Sequence, residues 1–269
     1  MQGLRDWAAE HGVDVVQIGR SDHAPEGTVE GAGMILAVGG DGTVLAALRA
    51  AAPRTVPVLG VACGSLGALT TVTAAELPEA LDRFEAGDWR PYRIPALVVK
   101  PDAGTPAEAI NDLVVVRDGG SQVIASVEID GALYGRFAGD GIIAATQLGS
   151  SAYSMAAGGP ILVPDSGAWV VTPLAAHGGS LPPVVVGPRA RVRLLIEPGY
   201  AGARVEIDGQ PNGMAAGGFQ LMLRQDFATL VRIGEDEEEF LAGLRRRKIL
   251  ADSPRVLARD ARVEARARG

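Results

Sequence analysis

The stretch Gly39-Gly40-Asp41-Gly42-Thr43 sets one carboxylate among three glycines, directly after the apolar run Met34-Ile35-Leu36-Ala37-Val38. Glycines let a backbone come close to a ligand and aim its N–H groups at phosphate oxygens. A helix beginning at Thr43 would add its positive N-terminal end at the same place. A carboxylate there repels phosphate, so its uses are binding magnesium or taking a proton from an attacking hydroxyl. A plain turn in which Asp41 caps the helix is the simpler alternative. The loop has neither the Gly-Lys-Ser/Thr of a Walker loop nor the three spaced glycines of a dinucleotide fingerprint, so it does not decide alone.

A second stretch is more specific. From Gly139-Asp140-Gly141 a short apolar strand, Ile142 to Ala145, feeds Thr146-Gln147-Leu148-Gly149-Ser150-Ser151-Ala152-Tyr153 and a small-residue segment ending Gly158-Gly159-Pro160. A helix of Ala, Ser and Gly lets a flat ligand or another backbone lie against it, with Tyr153 as a ring to stack on. Simple close packing of small residues is the alternative.

Together with Asn111-Asp112 ahead of a Val-rich strand, these two stretches resemble the ATP–NAD kinase family in order and spacing. Thr172-Pro173 before His177, and the turn Asp208-Gly209-Gln210, agree less tightly, and the resemblance covers roughly residues 30–250. It implies an N-terminal α/β domain with a Rossmann-like parallel sheet, a β-rich C-terminal domain, and a homodimer or homotetramer. It also implies a kinase that moves the terminal phosphoryl group of ATP, with Mg²⁺, to a ribose hydroxyl, foremost the 2′-hydroxyl of NAD. Carried over by residue, Asp41 would be the base, while Gly39, Gly40, Gly42 and Thr43 would hold the phosphates with His177 nearby. Asn111 and Asp112 would contact the acceptor's base or ribose. Asp140, Leu148, Ser151, Ala152, Tyr153 and Ala156 would line the acceptor pocket. No residue is assigned as a resident metal ligand.

The departures from the family pattern gather on the acceptor side. Ala62 and Ala68 stand where the family has Asn and Phe, Leu148 stands where it has a hydroxyl, and Ala156 replaces a serine. The arginine expected beyond His177 is absent, with Leu181-Pro182-Pro183 in its place. A relative that phosphorylates a nucleoside, or a nucleotide-binding regulator without catalysis, are the competing readings. A lipid kinase would leave the Asp140–Pro160 stretch without a reason.

The elements that must position these residues change character along the chain. Residues 13–18, 34–38 and 56–61 read as buried strands, alternating with helices over 43–52 and 73–86. Thr73-Ala74-Ala75-Glu76 is a capping-box signature for the second helix. Such alternation implies a parallel sheet. Beyond Trp89 prolines break the chain and period-two alternation takes over, as at Val123, Ala125, Val127 and Ile129, with Asp130-Gly131 and Asp208-Gly209 as hairpin turns. The expected division is residues 1–88, 89–235 and a helical, Arg-rich 236–269. In the last part the acidic run 235–239 and the basic run 245–248 suit opposite ends of one helix, with ligand binding by the basic run as the alternative.

Composition narrows the partners. The 269-residue chain is 47% hydrophobic with a formal net charge of -7, which fits small-molecule substrates and speaks against nucleic acid. One cysteine, Cys63, rules out an internal disulfide, and three histidines make a structural zinc site an unlikely use. No run of apolar residues is long enough for a membrane span, so a cytoplasmic protein is expected.

Overall fold

The computed structural model describes residues 2–18, 29–178, 181–215, 217–234 and 239–267. In chain order it contains α1 (Gln2–His11), β1 (Ile35–Gly39), α2 (Asp41–Ala51), β2 (Val58–Ala62), β3 (Val72–Thr73) and α3 (Leu77–Glu85). Next come β4 (Arg90–Pro101), β5 (Ala107–Ala109), β6 (Asp112–Arg117), β7 (Val123–Ile129), β8 (Ala132–Gly139), β9 (Gly141–Thr146) and the single turn α4 (Tyr153–Ala156). The chain closes with β10 (Trp169–Leu174), β11 (Val184–Val186), β12 (Arg191–Pro198), β13 (Ala203–Ile207), β14 (Gln210–Met214), β15 (Gly218–Arg232), α5 (Glu239–Arg246) and α6 (Pro254–Ala267).

Two sheets result. The larger has nine strands along the path β1-β2-β15-β12-β7-β8, with β3 on β2, β4 on β15 and β5 on β4. Its β1, β2 and β3 are parallel, and β2 also meets β15 in parallel, while the remaining pairs are antiparallel. Strands from both sides of residues 87–91 therefore share one sheet. The second sheet, β11-β10-β9-β6-β13-β14, is antiparallel throughout.

Side-chain alternation explains how they pack. Val123, Ala125 and Val127 of β7, Leu113 and Val115 of β6, and Ile142 and Ala144 of β9 turn inward to one core between the sheets. Val114, Ile143 and Ala145 face the other way and are covered by a smaller cluster with Leu162 and Val170. On the α/β side, Val44, Leu45, Leu48 and Ala51 form the buried face of α2, at the spacing of a helix stripe. Both Asp-Gly hairpins form as expected, with Asp130, Gly131, Asp208 and Gly209 all at positive φ between 50° and 83°, the two-residue turn that matches strand twist.

Three expectations are corrected. Residues 13–18 form no strand, and Val13, Val15, Val16 and Ile18 are exposed. No described strand pairs with this apolar run, although the outer edge of β1 is open. The small-residue helix after Ser151 is one turn, preceded by a 3₁₀ turn at Gly149–Ser151 and followed by Gly158 at φ 88° and then Gly159-Pro160, which cannot continue a helix. Thr73 donates both its N–H and its hydroxyl to Glu76 Oε2 at 2.8 Å, but α3 starts only after Glu76. Those bonds hold the Glu76 carboxyl below its ordinary range, backbone bond first. Most of the acidic run 235–239 lies outside the described residues. No described helix is long and apolar enough to cross a membrane.

Candidate active site

Parallel pairing of Gly39 with Ala62 brings the ends of β1 and β2 together, so the loops that follow them leave the sheet side by side. That edge, outside the carboxyl ends of parallel strands, is where open α/β sheets place ligands. Gly40 precedes α2 in an extended conformation, and its carbonyl accepts the N–H groups of Thr43 and Val44. The first N–H groups of the helix, at Asp41 and Gly42, are left pointing outward, as at any helix start. Gly39 is required by its neighbour, since a Cβ there would stand 2.4 Å from Thr43 Oγ1.

Asp41 does not cap α2, which has no side-chain cap. Its carboxylate instead reaches across to the second loop, where Oδ2 accepts the N–H of Ala68 at 3.0 Å and Oδ1 that of Leu69 at 2.9 Å. Each oxygen keeps acceptor capacity beyond these bonds. Gly67 makes the approach possible: a Cβ on it would lie 2.2 Å from Asp41 Oδ1. Thr70 Oγ1 takes the Gly67 N–H at 2.6 Å and fixes the loop's bend. The carboxylate is thus half-buried and held against a loop, Gly67 to Thr70, that borders a cavity.

That cavity is walled by Gly67, Ala68 and Thr70 on the Asp41 side, by Leu148 and Ser151 opposite, and by α5. Thr146 organises the opposite wall, donating to Ile110 O at 2.6 Å and accepting the N–H groups of Leu148 and Gly149 at 3.2 Å. Gly149 lies flat on Asn111, whose carbonyl a Cβ would meet at 2.1 Å. Asn111 and Asp112 therefore adjoin the Leu148–Ser151 turn. Asp112 is buried, and burial first, then the charges of Asp208 and Glu206, pushes its carboxyl up to about 7.

Asp208 joins the surroundings of the site in a way its turn motif did not reveal. Its side chain is wholly buried and accepts the N–H of Ile110 at 2.9 Å, of Asn111 at 2.6 Å and of Asp112 at 3.0 Å, besides the guanidinium of Arg49 from α2. The only signal in sequence was an aspartate at a turn position shared with many hairpins.

Other expected residues are placed elsewhere. Asp140 pairs with Arg117 at 2.6 Å, and His177 donates its N–H to Ala138 O at 2.7 Å. Asp140 sits at the opposite end of β9 from Thr146, roughly 20 Å away for six residues of strand. Within one chain neither Asp140 nor His177 joins the cavity by any described contact. Ala152, Tyr153 and Ala156 are exposed on α4 and its approach. Of the four substituted positions Ala62, Ala68, Leu148 and Ala156, Ala68 and Leu148 line the cavity, Ala62 is buried at the end of β2, and Ala156 is exposed.

The geometry meets its relatives here. The family model described as the ATP-NAD kinase N-terminal domain matches residues 20–89, and that of the ATP-NAD kinase C-terminal domain matches residues 110–219. A curated NAD kinase of Heliobacterium modesticaldum is 31% identical over 247 residues, 86% of this chain and 87% of the relative.

The chain belongs to the ATP-NAD kinase family.

A second member, the NAD kinase of Koribacter versatilis, is 33% identical over 236 residues, 82% of this chain and 83% of its own. Among solved structures, an NAD kinase from Archaeoglobus fulgidus in complex with ATP superposes with a TM-score of 0.75 at 24% identity, over 93% of this chain and 95% of that one. Yeast NADH kinase complexed with NADH gives a TM-score of 0.72 at 23% identity, covering 82% and 67%. Both share the ATP-NAD kinase fold of two domains, a mixed sheet followed by an antiparallel one.

Proposed function

We propose that this chain moves the terminal phosphoryl group of ATP onto the 2′-hydroxyl of NAD, giving NADP. The observation that carries the reading is the Asp41 carboxylate, clamped by the Ala68 and Leu69 amides at a cavity whose far wall is Leu148 to Ser151. Asp41 takes the proton from the ribose hydroxyl as its oxygen attacks the γ-phosphorus, and ADP leaves with the electrons of the broken P–O bond. The open N–H groups at the start of α2 lie beside the transferring phosphates. Asn111 and Asp112 hold the acceptor, and Ser151 and Leu148 bound the pocket around it.

The residues fit magnesium carried in on the nucleotide. No group of three or more His, Cys, Asp or Glu that could hold a metal occurs among the described residues, and magnesium commonly binds phosphates with one or two carboxylates. Asp41 is the acidic side chain of the loop that could add to that coordination. When bound, the ion neutralises charge developing on the phosphates.

The position of Asp140 and His177, a strand's length from the cavity, supports a homo-oligomer in which they serve a second copy's site. A nucleoside acceptor remains the competing reading on account of Ala68 and Leu148, and relatives named NAD kinase along most of the chain argue for NAD. Purified protein with ATP and Mg²⁺ should be offered NAD, NADH and a panel of nucleosides. NADP is the expected main product; a nucleoside favoured by more than about a hundredfold in kcat/KM (~2.7 kcal/mol) would reverse the reading, and no phosphorylated product at all would point to a regulator.

A further inference from the structure

The catalytic loop is short of positive charge. Residues 39–48 contain no lysine or arginine, and Arg49, the first cation of α2, is committed to Asp208. A nucleotide polyphosphate brought against Asp41 therefore needs cations from another element. The cavity supplies them from α5 and the end of β15: Arg246, Arg247 and Arg232 line it, and no carboxylate does so among the described residues.

The three consecutive arginines at the end of α5 divide their work. Arg245 turns away and is engaged by both carboxylate oxygens of Asp252 at 3.1 Å. Arg247 donates Nε to the Gly243 carbonyl at 3.2 Å, a neutral partner that orients its guanidinium, and its terminal nitrogens have no carboxylate partner among the described residues. Arg246 folds back over Gly243, where a Cβ would meet its Nη2 at 3.8 Å. Neither Arg246 nor Arg247 has a carboxylate partner among the described residues. Helix-end electrostatics accounts for Arg245, while the other two make no ion pair among the described residues. A guanidinium offers paired donors that match phosphate oxygens, which is the ligand this wall suits.

We propose that Arg246 and Arg247 bind the phosphate chain of the nucleotide in the cavity bordered by the loop that holds Asp41, making α5 part of the active site. This deepens the kinase reading, since it takes the cavity to be the nucleotide site. The phosphates could be those of the donor triphosphate or of the acceptor's pyrophosphate, and kinetics separates the two.

The test uses the full-length protein and inorganic tripolyphosphate as the probe, followed by calorimetry. Arg246→Gln and Arg247→Gln should each weaken binding by about tenfold, and the double variant by about a hundredfold, as expected for charge-assisted phosphate contacts. Arg245→Gln should stay within about twofold, and Arg246→Lys/Arg247→Lys should recover part of the loss while unchanged circular dichroism certifies the fold. In turnover, a KM rise confined to ATP assigns the donor's phosphates, and one confined to NAD assigns the acceptor's. Wild-type protein that ignores tripolyphosphate, or a double Gln variant that binds it as tightly as wild type, overturns the proposal. Wild type that binds the probe through these arginines yet makes no NADP would leave it standing and sink the kinase reading instead.

Discussion

Arg49, two turns into the helix that begins at Asp41, donates to the buried carboxylate of Asp208, which in turn caps the N–H groups of Ile110, Asn111 and Asp112. One side chain thus ties α2, which carries the proposed base, to the segment proposed to hold the acceptor. The tie is built into a two-residue hairpin: Asp208 stands at φ 50° and donates its own N–H to Asp112 O at 2.9 Å.

Removing that carboxylate strands an arginine and three backbone donors. Asp208→Ala should lower unfolding stability by about 3 kcal/mol, in the range for breaking a buried pair. Asp208→Asn, which keeps one acceptor oxygen, should lose less. Chemical denaturation measures both. Where the Asn protein is folded, KM for NAD should rise more than kcat falls, because the acceptor residues lose their positioning and Asp41 does not.

Gly67→Ala probes the approach of the base. Its Cβ would lie 2.2 Å from Asp41 Oδ1, so the carboxylate or the loop must shift. The expected result is a kcat loss of about a hundredfold, the scale for misplacing a reacting group by an ångström, with ATP binding by calorimetry nearly unchanged.

Asp112 gives a pH signature. Its folded carboxyl titrates near 7 because of burial and neighbouring acids, against about 4 in an unfolded chain. The folded protein therefore holds a proton that the unfolded chain has released, and Asp112 makes stability fall as pH rises from about 4 to 7. Asp112→Asn removes this slope, so its melting temperature relative to wild type should climb across that window and level off above it. In activity, KM for NAD should improve for wild type as pH rises through about 7, when the carboxylate becomes an acceptor-only group. The Asn variant should lack that step.

Leu148 is one of two family departures, with Ala68, that line the cavity. Leu148→Ser restores a hydroxyl, and one hydrogen bond of about 1 kcal/mol corresponds to a fivefold lower KM for NAD, roughly. An unchanged KM would show that the acceptor does not contact this position.

The turn from β1 into α2 and both hairpins were legible because each rests on local chemistry: glycines after an apolar strand, and Asp-Gly where both residues need positive φ. The Asp140–Pro160 stretch identified the family, yet its hydroxyls mostly serve the fold, as Thr146 does with Ile110 and Ser154 with Thr172 at 2.8 Å. Residues 13–18 misled because an apolar run alone does not make a strand, and no described strand pairs with it. The bonds of Asp208 span 96 to 159 residues of sequence, and no local pattern encodes contacts of that range. The split among Arg245, Arg246 and Arg247 was equally hidden, since it depends on which side of α5 meets the cavity.

Turnover by Asp41→Asn tests the central claim most directly. The amide can still accept one of the Ala68 and Leu69 N–H groups, so the protein should fold and bind ATP within a few fold of wild type. It cannot take the hydroxyl proton, and kcat for NADP formation from ATP and NAD should fall by about a hundredfold to ten-thousandfold. NADP formation at a near-normal rate in this variant would contradict the account and remove Asp41 from the chemistry.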